Sequence, residues 1–532
     1  MILERVTPES VGIHSEGILK FIDLAESRGL ELHSMMLLRH GKVCAEGWWK
    51  PYNPASPHMM FSFTKALTST AIGFACQEGA LSLDDRLSEL FPDKMPENPS
   101  ENLLACTVRD LLTMSCGHET EINTFDVNEP DWIKNFLSHE FKYKPGTCFM
   151  YNTAGTNMLC AALKRRTGEN LFEYLTPRLF EPLGMKNIEC FCLPDGVEMG
   201  GAGSRLKTED MARFILFVSR HGKWEGKQLL NAEWFDMASA NQVSTISPAN
   251  NADNPDWRCG YGFQFWRCVP EHVFRADGAF GQYGVVFEDK DTVLILQSSS
   301  SNQQEQLTCA WEALLPAITD EETLPESPMA HVLKKRLERA EITPMLSSRN
   351  PWSEKEIEGK KFAFTEEVPG LVDFIGGVWI VAPQGGVTKT LRFEFAPEKA
   401  NLVFEQDNGE FTAEIGLQSH FTSFTLGGRT YGAVGRWRSD KRFELEVRCA
   451  ESAGGRRMIF TFEGDALTLE TESTMAISGG IADRPYKRYT LKAEEFQRRI
   501  WAVRRRKTCL RVAFLCLKRL TNGLKYAILL GY

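Results

Sequence analysis

The chain has 532 residues, 43% of them hydrophobic, so it can bury large cores and has room for roughly two to four domains. Its net charge of −9 and isoelectric point of about 5.7 disfavour nucleic acid as a partner of the whole chain. No run reaches the ~18 apolar residues of a membrane span, and the first residues lack the basic and apolar regions of a signal peptide. We therefore expect a cytoplasmic protein.

The cysteines and histidines do not follow a metal-binding or disulfide pattern. The 14 cysteines are scattered without a CxxC pair, and the closest two are Cys190 and Cys192. The ten histidines do not cluster with them. Structural zinc sites need such clusters, so we expect reduced, mostly buried thiols and no metal site.

Residues 1–320 alternate between helical and strand patterns. Helices are predicted at Ser15–Ser27, at Phe63–Gln77, after a capping box of Thr107 and Asp110, and at 152–168. Strands are predicted as a hairpin at 33–49 and as single strands at 260–268, 281–288 and 292–300. The strands lie at the two ends of the region and the helices between them. This order predicts an α+β fold in which an antiparallel sheet, flanked by helices, carries an inserted helical block.

The remaining chain divides into three segments. Residues 321–355 are rich in Pro, Glu and Ser and are predicted to be a linker. Residues 356–490 contain short alternating strands and predict an all-β barrel or sandwich domain. Residues 491–532 form a basic and apolar tail, with ten Lys and Arg and no Asp or Glu from Phe496 onward. We expect the tail to be either a disordered or loosely docked extension or a weak contact with an anionic membrane.

The predicted helix at Phe63–Gln77 is preceded by a serine and contains a lysine within its first turn. Ser62 and Lys65 are three residues apart, so both side chains lie on one face of the helix. The positive end of the helix dipole and burial both favour a neutral lysine. Such a lysine could accept the proton of a serine nucleophile. The alternative is a lysine whose stem lies along an amphipathic helix and whose charge reaches water.

Five blocks of sequence follow one another in the order in which a known protein family carries its motifs. They are "FSFTKALTSTAIGFACQEGALSLDDRL", "TVRDLLTMSCGH", "KPGTCFMYNTAGTNML", "GGAGSRLKTEDMARF" and "RADGAFGQYGVVFEDKDTVLIL". Over residues 5–315 the chain resembles the serine β-lactamase and penicillin-recognising superfamily, especially its class C β-lactamase and esterase branch. The resemblance implies a β-lactamase/transpeptidase-like fold and catalysis through an acyl-enzyme, without a metal or cofactor.

The resemblance also implies roles for individual residues. Ser62 is the expected nucleophile, Lys65 its base partner and Tyr151 the tyrosine of the second motif, which can share the proton. The alternative for Tyr151 is a core aromatic with a satisfied hydroxyl, and its place in the motif order favours catalysis. The expected oxyanion hole consists of the backbone N–H groups of Ser62 and Ala279.

The chain departs from the family pattern at two motifs. Thr153 occupies the position of the second-motif asparagine, with Asn152 beside it. The third motif reads Ala276-Asp277-Gly278, without the lysine or histidine that helps lactam-binding members hold a carboxylate. We expect these positions to line the substrate site and to serve an anionic β-lactam poorly. Asp277 could repel carboxylates, pair with a cationic substrate group or face solvent.

These observations predict a serine acyl hydrolase acting on a small-molecule ester, amide or peptide. A β-lactamase or a D-aminopeptidase is an alternative within the same fold. From another class, the alternative is a non-catalytic binding or scaffold protein, which the presence of Ser62, Lys65 and Tyr151 disfavours. The oligomeric state and the role of the β domain stay open at this point.

Overall fold

The structure is a computed structural model that describes residues 3–122, 131–250, 252–369, 386–473 and 486–493. It forms two compact units, Met1–Thr343 with Ala450–Ala453 and Pro344–Cys449 with Gly454–Tyr532. The division after Thr343 falls inside the segment predicted to be a linker. Residues 491–493 of the predicted tail are the end of a strand of the second unit, and residues 494–532 lie outside the described residues.

The described helices of the first unit begin and end as follows: α1 Ser15–Ser27, α2 Thr64–Gln77, α3 Leu87–Leu90, α4 Glu101–Ala105, α5 Val108–Leu112, α6 Trp132–Ser138, α7 Thr153–Thr167, α8 Leu171–Leu175, α9 Glu181–Leu183, α10 Thr208–Ser219, α11 Ala232–Ser239, α12 Gln303–Cys309 and α13 Pro328–Glu338. A short 3₁₀ turn at Phe61–Phe63 precedes α2. Helix α14, Pro351–Ile357, belongs to the second unit.

The described strands of the first unit are β1 Leu32–Arg39, β2 Lys42–Trp48, β3 His58–Met59, β4 Glu189–Cys190, β5 Ser204–Leu206, β6 Lys223–Trp224, β7 Lys227–Gln228, β8 Trp266–Arg267, β9 Val273–Gly278, β10 Gln282–Phe287 and β11 Thr292–Ser298. Six of them form the main sheet, in the order β2-β1-β11-β10-β9-β8, with antiparallel pairing throughout. The sheet therefore combines strands from both ends of the unit, which confirms the predicted α+β class.

Helices cover both faces of this sheet. A Cβ atom on Gly284 of β10 would lie 2.4 Å from Ile215 of α10, whereas one on Gly47 of β2 would lie 2.6 Å from Leu337 of α13. Every residue of β1 and β11 is consequently buried. Two-sided burial explains why residues 35–38 of β1 and 293–296 of β11 are all apolar instead of alternating with polar residues.

Local sequence signals set the helix ends near the site. Thr107 and Asp110 form the predicted capping box at the start of α5. Helix α7 is capped at its start by the Asn152 side chain and ends at Gly168, whose φ of 80° favours glycine. In α2, the residues from Thr64 to Ala75 are buried. A helix buried on all sides belongs to the core, and Lys65 therefore lies inside the protein.

The strand predicted at 260–268 is mostly wrong. Only Trp266–Arg267 forms a strand there. Gly260 and Gln264 have φ angles of 102° and 67°, which lie outside the extended region and interrupt the pairing. The alternating aromatic residues that suggested a strand are buried instead in a compact loop, with Tyr261, Phe263 and Phe265 each 1% exposed or less.

The second unit contains an antiparallel sheet that closes into a barrel. Its described strands are β12 Phe362–Pro369, β13 Val387–Phe395, β14 Lys399–Gln406, β15 Gly409–Gly416, β16 Thr422–Leu426, β17 Arg429–Ser439, β18 Arg442–Cys449, β19 Gly455–Glu463, β20 Ala466–Ser473 and β21 Tyr486–Ala493. Beyond the neighbour pairing, β15 meets β17 at Gly416 and Val434. Closure removes open sheet edges, and the predicted "barrel or sandwich" is resolved as a barrel.

Aromatic side chains fill the barrel interior. Phe393 packs against Phe443 and Phe460, with ring centroids 5.5 and 5.0 Å apart. All three side chains are fully buried. The alternation of buried and exposed residues along the strands has produced one continuous core.

In the part of the chain that the structure describes, no helix is both long enough and apolar enough to cross a bilayer. The described cysteines are all free thiols, and most of them are buried.

Candidate active site

Ser62 and Lys65 meet at the start of helix α2. Ser62 lies in the 3₁₀ turn, and Lys65 is in the first turn of the α-helix. The Lys65 Nζ atom lies 3.0 Å from Ser62 Oγ and 2.6 Å from the carbonyl oxygen of Gly201. Ser62 is partly exposed, whereas Lys65 is 1% exposed. The serine can therefore meet a substrate while the lysine behind it is shielded from water.

Burial sets the protonation of this lysine. It lowers the pKa of Lys65 from 10.5 to about 7, against the opposing charges of Glu121 and Asp277. At neutral pH a substantial fraction of Lys65 is therefore unprotonated. A neutral amine can still donate to Gly201 and has a lone pair for the Ser62 proton.

Tyr151 lies beside the same pair. Lys65 Nζ is 4.9 Å from the centroid of the Tyr151 ring. Burial raises the pKa of Tyr151 well above its usual value, and hydrogen bonding with Ser62 partly opposes this rise. The phenol therefore keeps its proton at neutral pH and can donate it. The ring stacks on Trp266 with centroids 5.5 Å apart, which restricts the orientation of the hydroxyl.

The glycine turn before β5 forms part of the site. In the structure the carbonyl of Gly201 accepts from Lys65, and its N–H donates to Asn157 at 2.9 Å. A Cβ on Gly201 would lie 2.6 Å from the Thr153 side chain. The turn thus orients Lys65, and no side-chain pattern could have identified a backbone carbonyl for this role.

The N-terminus of α7 separates Asn152 from Thr153. Asn152 is fully buried, and its side chain accepts from Ala154 N and lies 3.4 Å from His118 Nδ1. These contacts tie the Asn152 side chain to the start of α7 and to His118, and its contact with substrate stays a prediction. Thr153 is partly exposed, with Oγ1 3.4 Å from Lys65 Nζ.

The end of strand β9 lies against the nucleophile turn. A Cβ on Gly278 would lie 2.2 Å from the carbonyl oxygen of Met60 and 3.1 Å from Phe63 N. Only glycine allows this approach, which places the end of β9 against the turn that carries Ser62. Phe61 and Phe280, which adjoin Ser62 and Ala279 in the sequence, have φ angles of 49° and 66°. Such strained backbone is concentrated at functional sites.

The third motif presents its residues to opposite faces of the sheet. Ala276 is 1% exposed and pairs with Gly284, on the face covered by Phe63 and Ile215. Its side chain therefore belongs to the core beneath the sheet rather than to the open surface of the site. The sequence expectation that Ala276 contacts substrate through its side chain does not fit this position.

Asp277 is buried in an ion pair. Arg275 Nε lies 2.9 Å from Asp277 Oδ2, with the two side chains 0% and 8% exposed. The Arg275 guanidinium also lies 4.5 Å from the centroid of the Trp257 ring. Burial raises the pKa of Asp277, and the Arg275 charge opposes the rise. Of the three alternatives that the sequence left for Asp277, its burial excludes a side chain that faces solvent. Its pairing with Arg275 was not foreseen.

Aromatic side chains surround the opening. Among the aromatic residues of the loop and strands around β9, Trp257 and Phe280 are partly exposed. Phe280 packs edge to face on Phe61, with centroids 5.2 Å apart. These two are the candidates to contact a bound acyl group. Among the described residues, no group of three or more His, Cys, Asp or Glu side chains is placed to hold a metal ion.

The geometry combines a nucleophilic hydroxyl, a lysine that is neutral in part at pH 7, a protonated phenol and a glycine strand end. These are the catalytic groups of a serine hydrolase. Comparison with known proteins agrees with this class: the family model described as "Beta-lactamase" matches residues 22–317, more than half of the chain. The chain belongs to the beta-lactamase family.

Individual relatives are distant. Protein flp of Staphylococcus aureus (strain MW2) is 28% identical over 142 residues, which are 25% of this chain and 28% of that protein. The chain thus spans less than a third of that curated relative. A penicillin-binding protein homologue from Pyrococcus abyssi matches 89% of this chain and 98% of its own, at 15% identity and a TM-score of 0.47. One from Caulobacter crescentus matches 57% and 99%, at 16% identity and a TM-score of 0.46.

Proposed function

We propose that the protein is a serine acyl hydrolase that forms an acyl-enzyme on Ser62 with an ester or a small amide. The observation that carries the proposal is the 3.0 Å approach of Lys65 Nζ to Ser62 Oγ, combined with the lowered pKa of that lysine, about 7. A base whose pKa lies near the working pH is the most effective proton acceptor.

Acylation uses the groups already described. Neutral Lys65 takes the proton of Ser62 as Oγ bonds to the carbonyl carbon of the substrate. The N–H groups of Ser62 and Ala279 stabilise the oxyanion. When the tetrahedral intermediate collapses, the bond to the leaving group breaks and the Tyr151 hydroxyl gives that group its proton. Lys65 then returns a proton to Tyr151.

Deacylation reverses these roles. Water attacks the acyl carbon, its proton passes to the Tyr151 and Lys65 pair, and Ser62 Oγ leaves with a proton. The acid product departs and the site regains its starting protonation state. Each proton that Lys65 accepts is returned within one turnover, so no cofactor enters the scheme.

Ester, amide or peptide turnover fits the site better than efficient lactam turnover. Ala276 supplies no cation at the third motif, and the Arg275 charge is held in the buried pair with Asp277. A carboxylate-bearing lactam would therefore meet little electrostatic stabilisation. We also propose that the protein is cytoplasmic. The buried free thiols support this compartment. Fractionation of cells that express the tagged protein tests the proposal.

The test compares the wild type and Ser62→Ala on a short p-nitrophenyl ester, a D-amino-acid p-nitroanilide and a chromogenic cephalosporin. We expect ester or anilide hydrolysis that disappears in Ser62→Ala while the unfolding temperature is kept. The ranking of the three substrates separates esterase, aminopeptidase and β-lactamase activity. If the wild type hydrolyses none of them and a fluorophosphonate does not label Ser62, the proposal is wrong and a binding role takes its place.

A further inference from the structure

The charges around the nucleophile are not all compensated. Asp277 is matched by Arg275 in a buried pair. Glu121 is different: it is exposed, and among the residues that the structure describes it has no Lys, Arg or His partner in an ion pair. The neighbouring Glu119 shows the contrast, since Lys142 lies 2.5 Å from its carboxylate.

A short chain of contacts places Glu121 near the reacting atoms. Its Oε1 atom accepts from Thr153 N at 3.1 Å, and Thr153 Oγ1 lies 3.4 Å from Lys65 Nζ. One residue therefore separates the Glu121 carboxylate from the proposed base. The bond to the first residue of α7 also places the carboxylate at the N-terminal end of that helix.

The field of Glu121 reaches the catalytic groups. Its charge raises the pKa of Lys65, as the largest contribution after burial, and it also raises the pKa of Tyr151. A carboxylate close enough to act on both groups is close enough to act on a substrate held between them.

We propose that Glu121 is a specificity-determining residue that selects substrates whose acyl group carries a cation, such as an ammonium group. The proposal rests on the proposed acyl-hydrolase function. An acyl group bound to Ser62 beside Thr153 places a cationic substituent against the free side of the Glu121 carboxylate. An anionic acyl group meets repulsion at the same position.

The test uses two p-nitrophenyl esters of equal shape. One is the 4-(trimethylammonio)butanoate, whose charge does not depend on pH, and the other is the 5,5-dimethylhexanoate, in which a carbon replaces the nitrogen. We expect the wild type to favour the cationic ester in kcat/KM by roughly tenfold. In Glu121→Gln this ratio should fall to about one, and added salt should reduce it in the wild type.

Glu119→Gln is the matched control, because it removes the same charge two positions away from a carboxylate paired with Lys142. It should keep the wild-type ratio. Glu121→Asp retains the charge, so its kcat/KM ratio of cationic to neutral ester should stay above one. This variant separates the loss of charge from a general effect of substitution at this position. A ratio near one in the wild type, or an unchanged ratio in Glu121→Gln, would overturn the selection by Glu121 and leave the acyl-hydrolase function standing.

Failure of the underlying function has a different signature. In that case neither ester is hydrolysed in a manner that depends on Ser62, and the selectivity proposal falls with it. Hydrolysis of both esters that is lost in Ser62→Ala, together with a ratio that depends on Glu121, supports both proposals.

Discussion

Gly278 lies so close to Met60 that an added Cβ would be 2.2 Å from the carbonyl oxygen of Met60. The contact joins the end of strand β9 to the turn that carries Ser62. We expect it to align the N–H groups of Ser62 and Ala279, the proposed oxyanion donors, with each other. The alignment of the nucleophile thus depends on a position without a side chain.

We expect Gly278→Ala to lower kcat by at least ~10-fold, because a displacement of about 1 Å at reacting groups is costly. The overpacked contact should also destabilise the fold by ~1–3 kcal/mol. Ester hydrolysis and denaturant unfolding measure the two effects. Gly155→Ala is the control, since its Cβ would lie 3.6 Å from Leu111 in ordinary contact. A fully active Gly278→Ala would show that the close approach is not needed.

The activity should depend on the protonation of Lys65. Since its pKa is lowered to about 7, the neutral form increases through pH 7, and kcat/KM should rise on a limb centred there. The negative charge of Glu121 raises this pKa, so Glu121→Gln should move the limb to lower pH. The profile is measured with the uncharged ester. A limb that stays in place would show that Glu121 does not act on Lys65.

Lys65 should also lower the stability of the fold at neutral pH. Its pKa is lower in the folded chain than the usual 10.5, so between pH 7 and pH 10.5 the unfolded chain binds more protons and stability rises with pH. We expect Lys65→Met to have a higher unfolding temperature than the wild type at pH 7, with a gap that narrows toward pH 10. The exposed Lys227→Met serves as the control and should show no such gap.

Removal of the Tyr151 hydroxyl should slow acylation. A raised pKa keeps the phenol protonated, so its role is to pass a proton, and Tyr151→Phe should reduce the acylation rate by ~10²–10⁴-fold. We expect a similar loss in Lys65→Ala. Single-turnover kinetics with a p-nitrophenyl ester measure the step directly. Acylation near the wild-type rate in either variant would contradict the role assigned to that residue.

Breaking the buried pair should destabilise the protein. Asp277→Asn leaves the Arg275 charge buried without its carboxylate, which typically costs about 3–5 kcal/mol. Glu119→Gln breaks the exposed pair with Lys142 and should change stability by less than about 1 kcal/mol. Urea unfolding compares the two variants. Equal stability of Asp277→Asn and the wild type would show that Asp277 does not stabilise the site.

Short-range signals in the sequence determined a large part of this protein. Ser62 and Lys65 are three positions apart, and the helix alone brings them together. The capping box at Thr107 and the glycine end of α7 are equally local. The order of the motifs in the chain then predicted the fold class and the residues Tyr151, Gly278 and Ala279.

Only the tertiary structure decided the electrostatic setting of the site. The Gly201 carbonyl that holds Lys65 is 136 residues away in the sequence, and Glu121 reaches Lys65 through a residue of another helix. Arg275 and Asp277 pair on one face of strand β9, and the amino-acid composition does not reveal that this face is buried. Burial of Lys65 is likewise a property of the packed core. Such effects depend on distance and desolvation in three dimensions, which a one-dimensional pattern does not contain.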